Sequence, residues 1–347
     1  MLVEAIKKVV DGRNLSREEA FSVMDDIMSG RASDAQIAAF LTALRMKGET
    51  VEELIGFVRV MRDKVTEIKT KKRVITGLSG TDREMLVDTC GTGGDASNTF
   101  NVSTAAAFVV AGAGIPVAKH GNRSVSSVCG SADVVEALGV RLDLPPERVS
   151  HCIDEIGIGF LYAPLLHKAM KHVMPARKDI RIRTVFNILG PLTNPARALA
   201  QVIGVYDGTL TEVMAAVLSE LGSIRAFVVH GMDGLDEISN TAETKISEVR
   251  ENKVETYCIK PEDFGIKRAR LDDLLGGSVA DNAQIIRKIL GGDKGPKRDI
   301  VLLNASAALV AGGKARDFKE GLEAAARSID SGAAREKLER LVEFCAK

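Results

Sequence analysis

The sequence predicts an α/β protein in two parts: a small all-helical N-terminal domain over residues 1–73, and a larger domain over 74–347 with a mostly parallel sheet flanked by helices. Three observations predict it. The first 73 residues carry helix punctuation and nothing that reads as a strand. From about Met85 short apolar runs alternate with helical patterns, the signature of βαβ units. From about Asn282 the chain returns to helical patterns, and 347 residues suffice to bury the cores of about two domains.

In the first part, Ser16 with Glu19, Ser33 with Gln36 and Thr50 with Glu53 have capping-box spacing, in which each side chain satisfies a backbone donor that a helix start leaves orphaned. Gly30 and Gly48 stand where two of these helices should end, because glycine takes the left-handed cap conformation without steric cost. Ile37, Phe40, Leu41 and Leu44 form one apolar helical face; Val51, Leu54, Ile55, Val58 and Met61 form another.

In the second part, strands are expected at Met85–Asp88, Ile115–Lys119, Ala200–Tyr206 and Arg225–His230. Helices are expected around Ser103–Ala113, Ala132–Leu138, Pro146–Ile156 and Leu210–Leu221. Between Arg177 and Pro195 the residues are rich in Arg, Gly, Pro and Asn, and predict a fixed, irregular connection.

Composition narrows the function. The 47 basic and 47 acidic residues give zero formal net charge, so no global field draws the chain to nucleic acid or an anionic membrane, and any phosphate site must be local. Five widely spaced cysteines form no zinc or C-x-x-C pattern and read as reduced thiols. The N-terminus lacks the basic head and apolar core of a signal peptide, which predicts a cytoplasmic protein. The uncharged stretch Ala96–Ala118 has membrane-span length, but its polar residues and glycines predict a buried helix followed by a buried strand.

The chemistry concentrates in three segments. Leu86-Val-Asp-Thr-Cys-Gly91-Thr-Gly93-Gly94-Asp95 joins an apolar strand to a glycine turn and then a helix start. Free backbone N–H groups and a helix dipole would converge there on an anion. Gly91-x-Gly93-x-x-Ala96 fits the loose dinucleotide fingerprint, yet the next strand ends in Lys119 where a ribose-binding acid is needed, and no Walker P-loop occurs. The second segment, Lys119-His120-Gly121-Asn122-Arg123 to Asp133, follows the neighbouring strand and should lie beside the first. The third, Gly231 to Ser239, places Asp236 and Glu237 after a further strand, where carboxylates beside a polyphosphate could hold magnesium. His167 and His172, five apart, do not share a helix face as zinc ligands and read as structural; Cys90, with no base beside it, reads as packing.

Together these residues closely resemble the anthranilate phosphoribosyltransferase family, of the nucleoside phosphorylase/phosphoribosyltransferase fold. The resemblance runs from Ser33-Asp-Ala-Gln-Ile-Ala-Ala-Phe to Lys297-Arg-Asp-Ile-Val-Leu-Leu-Asn, through Arg183-Thr-Val-Phe-Asn-Ile-Leu-Gly-Pro-Leu-Thr-Asn-Pro195. It implies that helices around 165–190 complete the small domain. It further implies a phosphoribosyl pyrophosphate (PRPP) site lined by Gly91, Gly94, Asp95, Thr99, Asn101, Val102, Ser103 and Thr104. Lys119, His120, Gly121, Asn122, Arg123, Ser124, Ser126, Ser127 and Ser131 would complete that lining. Ser103, Asp236 and Glu237 would hold two Mg2+ ions, and anthranilate would meet Gly91, His120, Asn122 and Arg177, the last through forked hydrogen bonds to its carboxylate. A homodimer through the helical domain is also implied. The chain departs from the family at Val128-Cys129, where a basic residue and a serine are usual, at Ala96, where glycine is common, and at Asp179-Ile-Arg181-Ile, which lacks the usual Leu-Gly.

The implied reaction is displacement at ribose C1 by the neutral aromatic amine, with pyrophosphate leaving. An aniline-type amine is unprotonated at neutral pH, so no residue is assigned as an obligate acid or base. A pyrimidine nucleoside phosphorylase of the same fold and a nucleic-acid-binding relative are the alternatives. Asp236-Glu237 and the wording of Lys119 to Arg123 disfavour the first; charge balance and the retained His120, Asn122 and Arg177 disfavour the second.

Overall fold

All three capping boxes form. In the computed structural model α1 (Leu2–Val10), α2 (Arg17–Met28), α3 (Asp34–Lys47) and α4 (Val51–Lys64) make up the N-terminal bundle. Ser16, Ser33 and Thr50 each cap through reciprocal bonds with Glu19, Gln36 and Glu53. Gly30 and Gly48 adopt φ of +72° and +88° at the ends of α2 and α3, the conformation that favours glycine. The structure describes residues 1–71, 74–76, 83–95, 97–123 and 129–346, and in 74–76, 83 and 84 the backbone alone.

Glu53 does more than cap. Fully buried, its carboxylate accepts from the Thr50 N–H at 2.8 Å and the Leu15 N–H at 2.9 Å, and pairs with Lys47 Nζ at 2.9 Å. Removing one partner of a buried pair strands the other's charge, so Glu53→Ala should destabilise the fold by about 3–5 kcal/mol. Denaturant unfolding measures this, and a loss below about 1 kcal/mol would show the pair to be dispensable.

After a two-stranded ribbon, β1 (Val74–Thr76) and β2 (Arg83–Met85), the chain lays down β3 (Val87–Gly91), α5 (Val102–Gly112), β4 (Val117–Gly121), α6 (Ser131–Ala137), α7 (Pro146–His151) and β5 (Ile158–Tyr162). A connecting segment with α8 (Ala163–Leu166), α9 (Met174–Ile180) and α10 (Phe186–Leu189) follows, and α9 packs on α3. Next come β6 (Ala200–Gly204), α11 (Leu210–Glu220), β7 (Arg225–Gly231), β8 (Thr244–Arg250) and β9 (Lys253–Ile259). Four helices close the chain: α12 (Val279–Leu290), α13 (Pro296–Ala311), α14 (Phe318–Asp330) and α15 (Ala333–Ala346).

The seven-stranded sheet has the order β5-β4-β3-β6-β7-β8-β9, parallel from β5 through β7 and antiparallel at β8 and β9. One face packs on α5 and the C-terminal helices; the other packs on α11, whose apolar core is continuous with the helical bundle. The chain runs outward from β3 to β5 and then returns to the opposite side of β3 at β6, so strand order reverses between β3 and β6. Open α/β sheets bind ligands at the carboxyl edge of such a reversal.

Boundaries shift by a few residues from those expected. The first sheet strand runs to Gly91 rather than Asp88, and β4 runs from Val117 to Gly121, because the glycine-led turns extend the ladders. The expected helix Pro146–Ile156 is α only to His151 and finishes as a π-helical turn, Cys152–Ile156, closed by left-handed Gly157. Within the stretch Ala96–Ala118 lie α5 and the first two residues of β4, and no helix among the described residues is long and apolar enough to cross a membrane.

Candidate active site

The glycine loop stands where the strand order reverses. Gly91 and Gly204 are paired partners at the ends of β3 and β6. Beyond them Gly93 and Gly94 take φ of +63° and +79°, turning the chain back over the strand tips. The loop from β7 closes the floor: the Asp236 carboxylate accepts from the Gly93 N–H at 2.9 Å. A methyl on Gly204 would lie 1.5 Å from the Asp236 carbonyl oxygen, and one on Gly91 would lie 2.5 Å from Asp236 Oδ2. Only glycines let β3, β6 and the acidic loop approach so closely.

Ser103, in the first turn of α5, joins the three segments. Its N–H donates to Glu237 Oε1 at 3.1 Å, and its hydroxyl lies 3.4 Å from Lys119 Nζ. Lys119, buried in the middle of β4, also donates to the Thr89 carbonyl. Asn101 precedes α5 and reaches the Cys129 carbonyl at 3.2 Å, while its buried Oδ1 has no partner among the described residues. Gly121 gives Ser131 room: a methyl there would meet Ser131 Oγ at 2.3 Å, and that oxygen accepts from the Asn122 N–H at 3.2 Å. Asp95 and Thr99 each approach the Ser97 hydroxyl, at 2.6 and 3.2 Å. Thr99 pairs with Leu275, which ties the loop before α5 to the segment before α12.

The carboxylates are crowded. Burial, then neighbouring Asp95, pushes Asp236 up to about 7; burial, then Asp236, pushes Glu237 well above the usual carboxylate range. A divalent cation would relieve both effects, and Asp236, Glu237 and the Ser103 hydroxyl supply the hard oxygen donors that Mg2+ prefers. Among the described residues no three His, Cys, Asp or Glu side chains gather into a chelating cluster, so a metal here would keep positions for phosphate oxygens or water.

Two further expected residues, His120 and Arg177, stand on β4 and α9. His120 is buried, with its N–H donating to Asp88 Oδ1 at 3.0 Å and its Nε2 standing 3.2 Å from Nε2 of His167. Burial holds His120 well below the ordinary imidazole value and His167 at about 4, so both rings are neutral at pH 7. His167 is thus the immediate neighbour of His120, a candidate site residue, which its five-residue spacing from His172 did not reveal; His172 packs instead under Gly30. Arg177, on α9, is half-buried with its guanidinium 5.6 Å from the Phe186 ring centroid, and it has no ion-pair partner among the described residues.

Not every expected residue converges. Arg123 turns away to α6, pairing with Asp133 at 2.7 Å and Glu136 at 2.9 Å. Ser124, Ser126 and Ser127, like Ala96 and Val128, lie outside the described residues. Cys90 is buried, and burial, then Asp88, pushes its thiol well above the ordinary value, as suits packing rather than nucleophilic attack.

The neutral histidines carry a pH signature. An unfolded chain protonates His167 near pH 6.5 and the folded one near 4, so across that window the unfolded state holds more protons and stability falls as pH drops. Wild type should therefore lose stability relative to His167→Gln by up to about 1.4 kcal/mol per pH unit across that range. A pH-independent difference in unfolding free energy between the two would mean that the ring protonates in place.

A glycine loop, a lysine and an acidic pair meet at the strand reversal beside a helical bundle, where an open α/β sheet binds its ligands, and family likeness places this architecture among the glycosyl transferases. Residues 3–65 match the helical bundle domain of the glycosyl transferase family, and residues 83–335 match its a/b domain. An anthranilate phosphoribosyltransferase of Geotalea uraniireducens is 58% identical over 99% of both chains. The crystal structure of the Thermus thermophilus enzyme superposes with a TM-score of 0.91 at 44% identity, covering 99% of each chain. That of Saccharomyces cerevisiae in complex with PRPP and Mg gives 0.88 at 29% identity, covering 99% of this chain and 98% of the other. The chain belongs to the anthranilate phosphoribosyltransferase family. The phosphorylase and nucleic-acid-binding alternatives give way to this assignment.

Proposed function

We propose that the chain joins PRPP to anthranilate, giving N-(5-phosphoribosyl)anthranilate and pyrophosphate in L-tryptophan biosynthesis, with PRPP on the glycine loop and anthranilate against Arg177. The observation that carries this is the meeting of the Gly91–Asp95 loop, Ser103, Lys119 and the Asp236–Glu237 pair at one strand reversal. The amine nitrogen attacks ribose C1 as the C1–O bond to pyrophosphate breaks, and the amine proton leaves to solvent. Loop amides and Lys119 hold the phosphates, Arg177 faces the carboxylate, and neutral His120 with Asn122 borders the ring. Two Mg2+ ions bound through Ser103, Asp236 and Glu237 would neutralise the departing charge.

A homodimer through the helical bundle fits the exposed Val3 and Val10 of α1 and Phe21 of α2, at 49%, 67% and 37% exposure. A cytoplasmic setting fits the free cysteines.

The test mixes protein with PRPP, Mg2+ and anthranilate and follows loss of anthranilate fluorescence, omitting each component in turn. Turnover should require all three; no turnover by folded protein across a range of divalent metals would sink the reading. In the same assay Arg177→Ala should raise the KM for anthranilate by roughly tenfold or more and that for PRPP far less, and equal effects would remove Arg177 from the anthranilate site.

A further inference from the structure

The glycine loop is held from outside the sheet by a residue with no part in the site described so far. Arg183 follows α9, two residues past left-handed Arg181, and donates from Nη2 to the Gly94 carbonyl. Its guanidinium lies 4.4 Å from the centroid of Tyr206, just beyond β6. The Tyr206 N–H in turn donates to Thr92 Oγ1 at 3.1 Å, and the Thr92 N–H donates to the Gly204 carbonyl at 2.9 Å. Both flanks of the Gly93 turn are therefore braced by one stacked pair, while Asp236 holds the turn from below.

This bracing sets amide direction. In a planar trans peptide the C=O and N–H point opposite ways, so drawing the Gly94 carbonyl toward Arg183 turns the Asp95 N–H away from it. Left-handed glycines have no side chain to hold that orientation themselves, and each could relax into several conformations. Arg183 is exposed, lies over an aromatic ring, and has no carboxylate partner among the described residues. Its planar fork suits it to this one acceptor.

We propose that Arg183, stacked on Tyr206, is a positioning residue that fixes the Gly91–Asp95 loop in its phosphate-receiving form. This rests on PRPP binding at that loop, as argued above. Arg183 also lies six residues beyond Arg177 on one connecting segment, so the placement of each substrate's cradle depends on the same stretch of backbone.

Steady-state kinetics tests it. Arg183→Ala should raise the KM for PRPP by roughly tenfold, the worth of one charge-assisted hydrogen bond, and that for anthranilate by less than about threefold. Because the side chain is exposed, the melting temperature should stay near the wild-type value. Tyr206→Ala should act in the same direction, and the double variant should be no worse than Arg183→Ala, since the two residues act as one brace. Arg183→Lys should recover part of the loss, since it can donate to the carbonyl but cannot stack as a plane. An unchanged KM for PRPP in Arg183→Ala would overturn the proposal. So would full recovery by Arg183→Lys with Tyr206→Ala silent, which would indicate direct contact with phosphate. Wild-type turnover of PRPP and anthranilate is the control: its absence would sink the functional reading instead.

Discussion

Gly204→Ala is expected to lower kcat/KM by roughly 10²-fold or more, although residue 204 has no side chain to offer a substrate. The added methyl would lie 1.5 Å from the Asp236 carbonyl oxygen and 2.4 Å from its carbon. Those are main-chain atoms that cannot rotate aside, so either β6 or the acidic loop must move. A displacement of about 1 Å between catalytic elements is enough for a loss of that size. Gly91→Ala provides the contrast, because its methyl meets the Asp236 carboxylate, a side chain with freedom to turn. It should keep the wild-type melting temperature and chiefly raise the KM for PRPP. Circular dichroism and thermal melts separate the outcomes if Gly204→Ala also costs stability. Near-wild-type activity in Gly204→Ala would mean that the close approach of β6 to the acidic loop does not matter for function.

Glycine placement was legible in the sequence wherever it followed an apolar run, as at Gly91 and Gly121. The close approach at Gly204 was not, because nothing local to β6 announces that a loop 32 residues later will lie across its tip. Helix starts were the clearest feature of all, since capping is a local bargain between residues three apart, and Ser16, Ser33 and Thr50 satisfy it. Strands β8 and β9 gave little sign of themselves. As the exposed edge, β9 admits polar side chains, and the hairpin joining it to β8 turns through Glu251 and Asn252, at φ of +50° and +62°, without the Asn-Gly pair that marks such turns. The strand β5 was hidden behind a helical pattern that changes from α to π before Gly157 stops it.

The site divides in the same way. Ser103, Lys119, Asp236 and Glu237 were legible because each follows a recognisable strand or opens a helix, and carboxyl-edge geometry brings such positions together. His167 and Arg183 were not. Both lie in the connecting segment, where no periodicity predicts direction, and each acquires its role from a partner distant in sequence, His120 or Gly94. Arg123 differs again: its neighbours in sequence point to the loop, while Asp133 and Glu136 on α6 pair with its guanidinium.

The acidic pair gives a prediction with two opposite signs. Asp236→Asn with Glu237→Gln keeps the side-chain shapes and removes both charges, so turnover should fall by roughly 10³-fold, within the several kcal/mol that a metal contributes to a developing anion. Metal-free stability should move the other way. Burial has raised the folded pKa of Asp236 to about 7 from an ordinary 3.8, so the folded state holds its proton more tightly than the unfolded chain does. Such a group contributes stability that is complete below the unfolded value and is lost as pH rises through the folded one. In chelator, wild type should therefore lose stability between about pH 4 and 7 relative to the double variant, and at pH 8 should melt below it. Adding Mg2+ should raise the wild-type melting temperature, because a ligand bound only by the folded state stabilises it by mass action, and should leave the variant unmoved. If Mg2+ stabilised both proteins equally, the metal would lie elsewhere, and the raised carboxylates would have no cation to explain why the fold tolerates them.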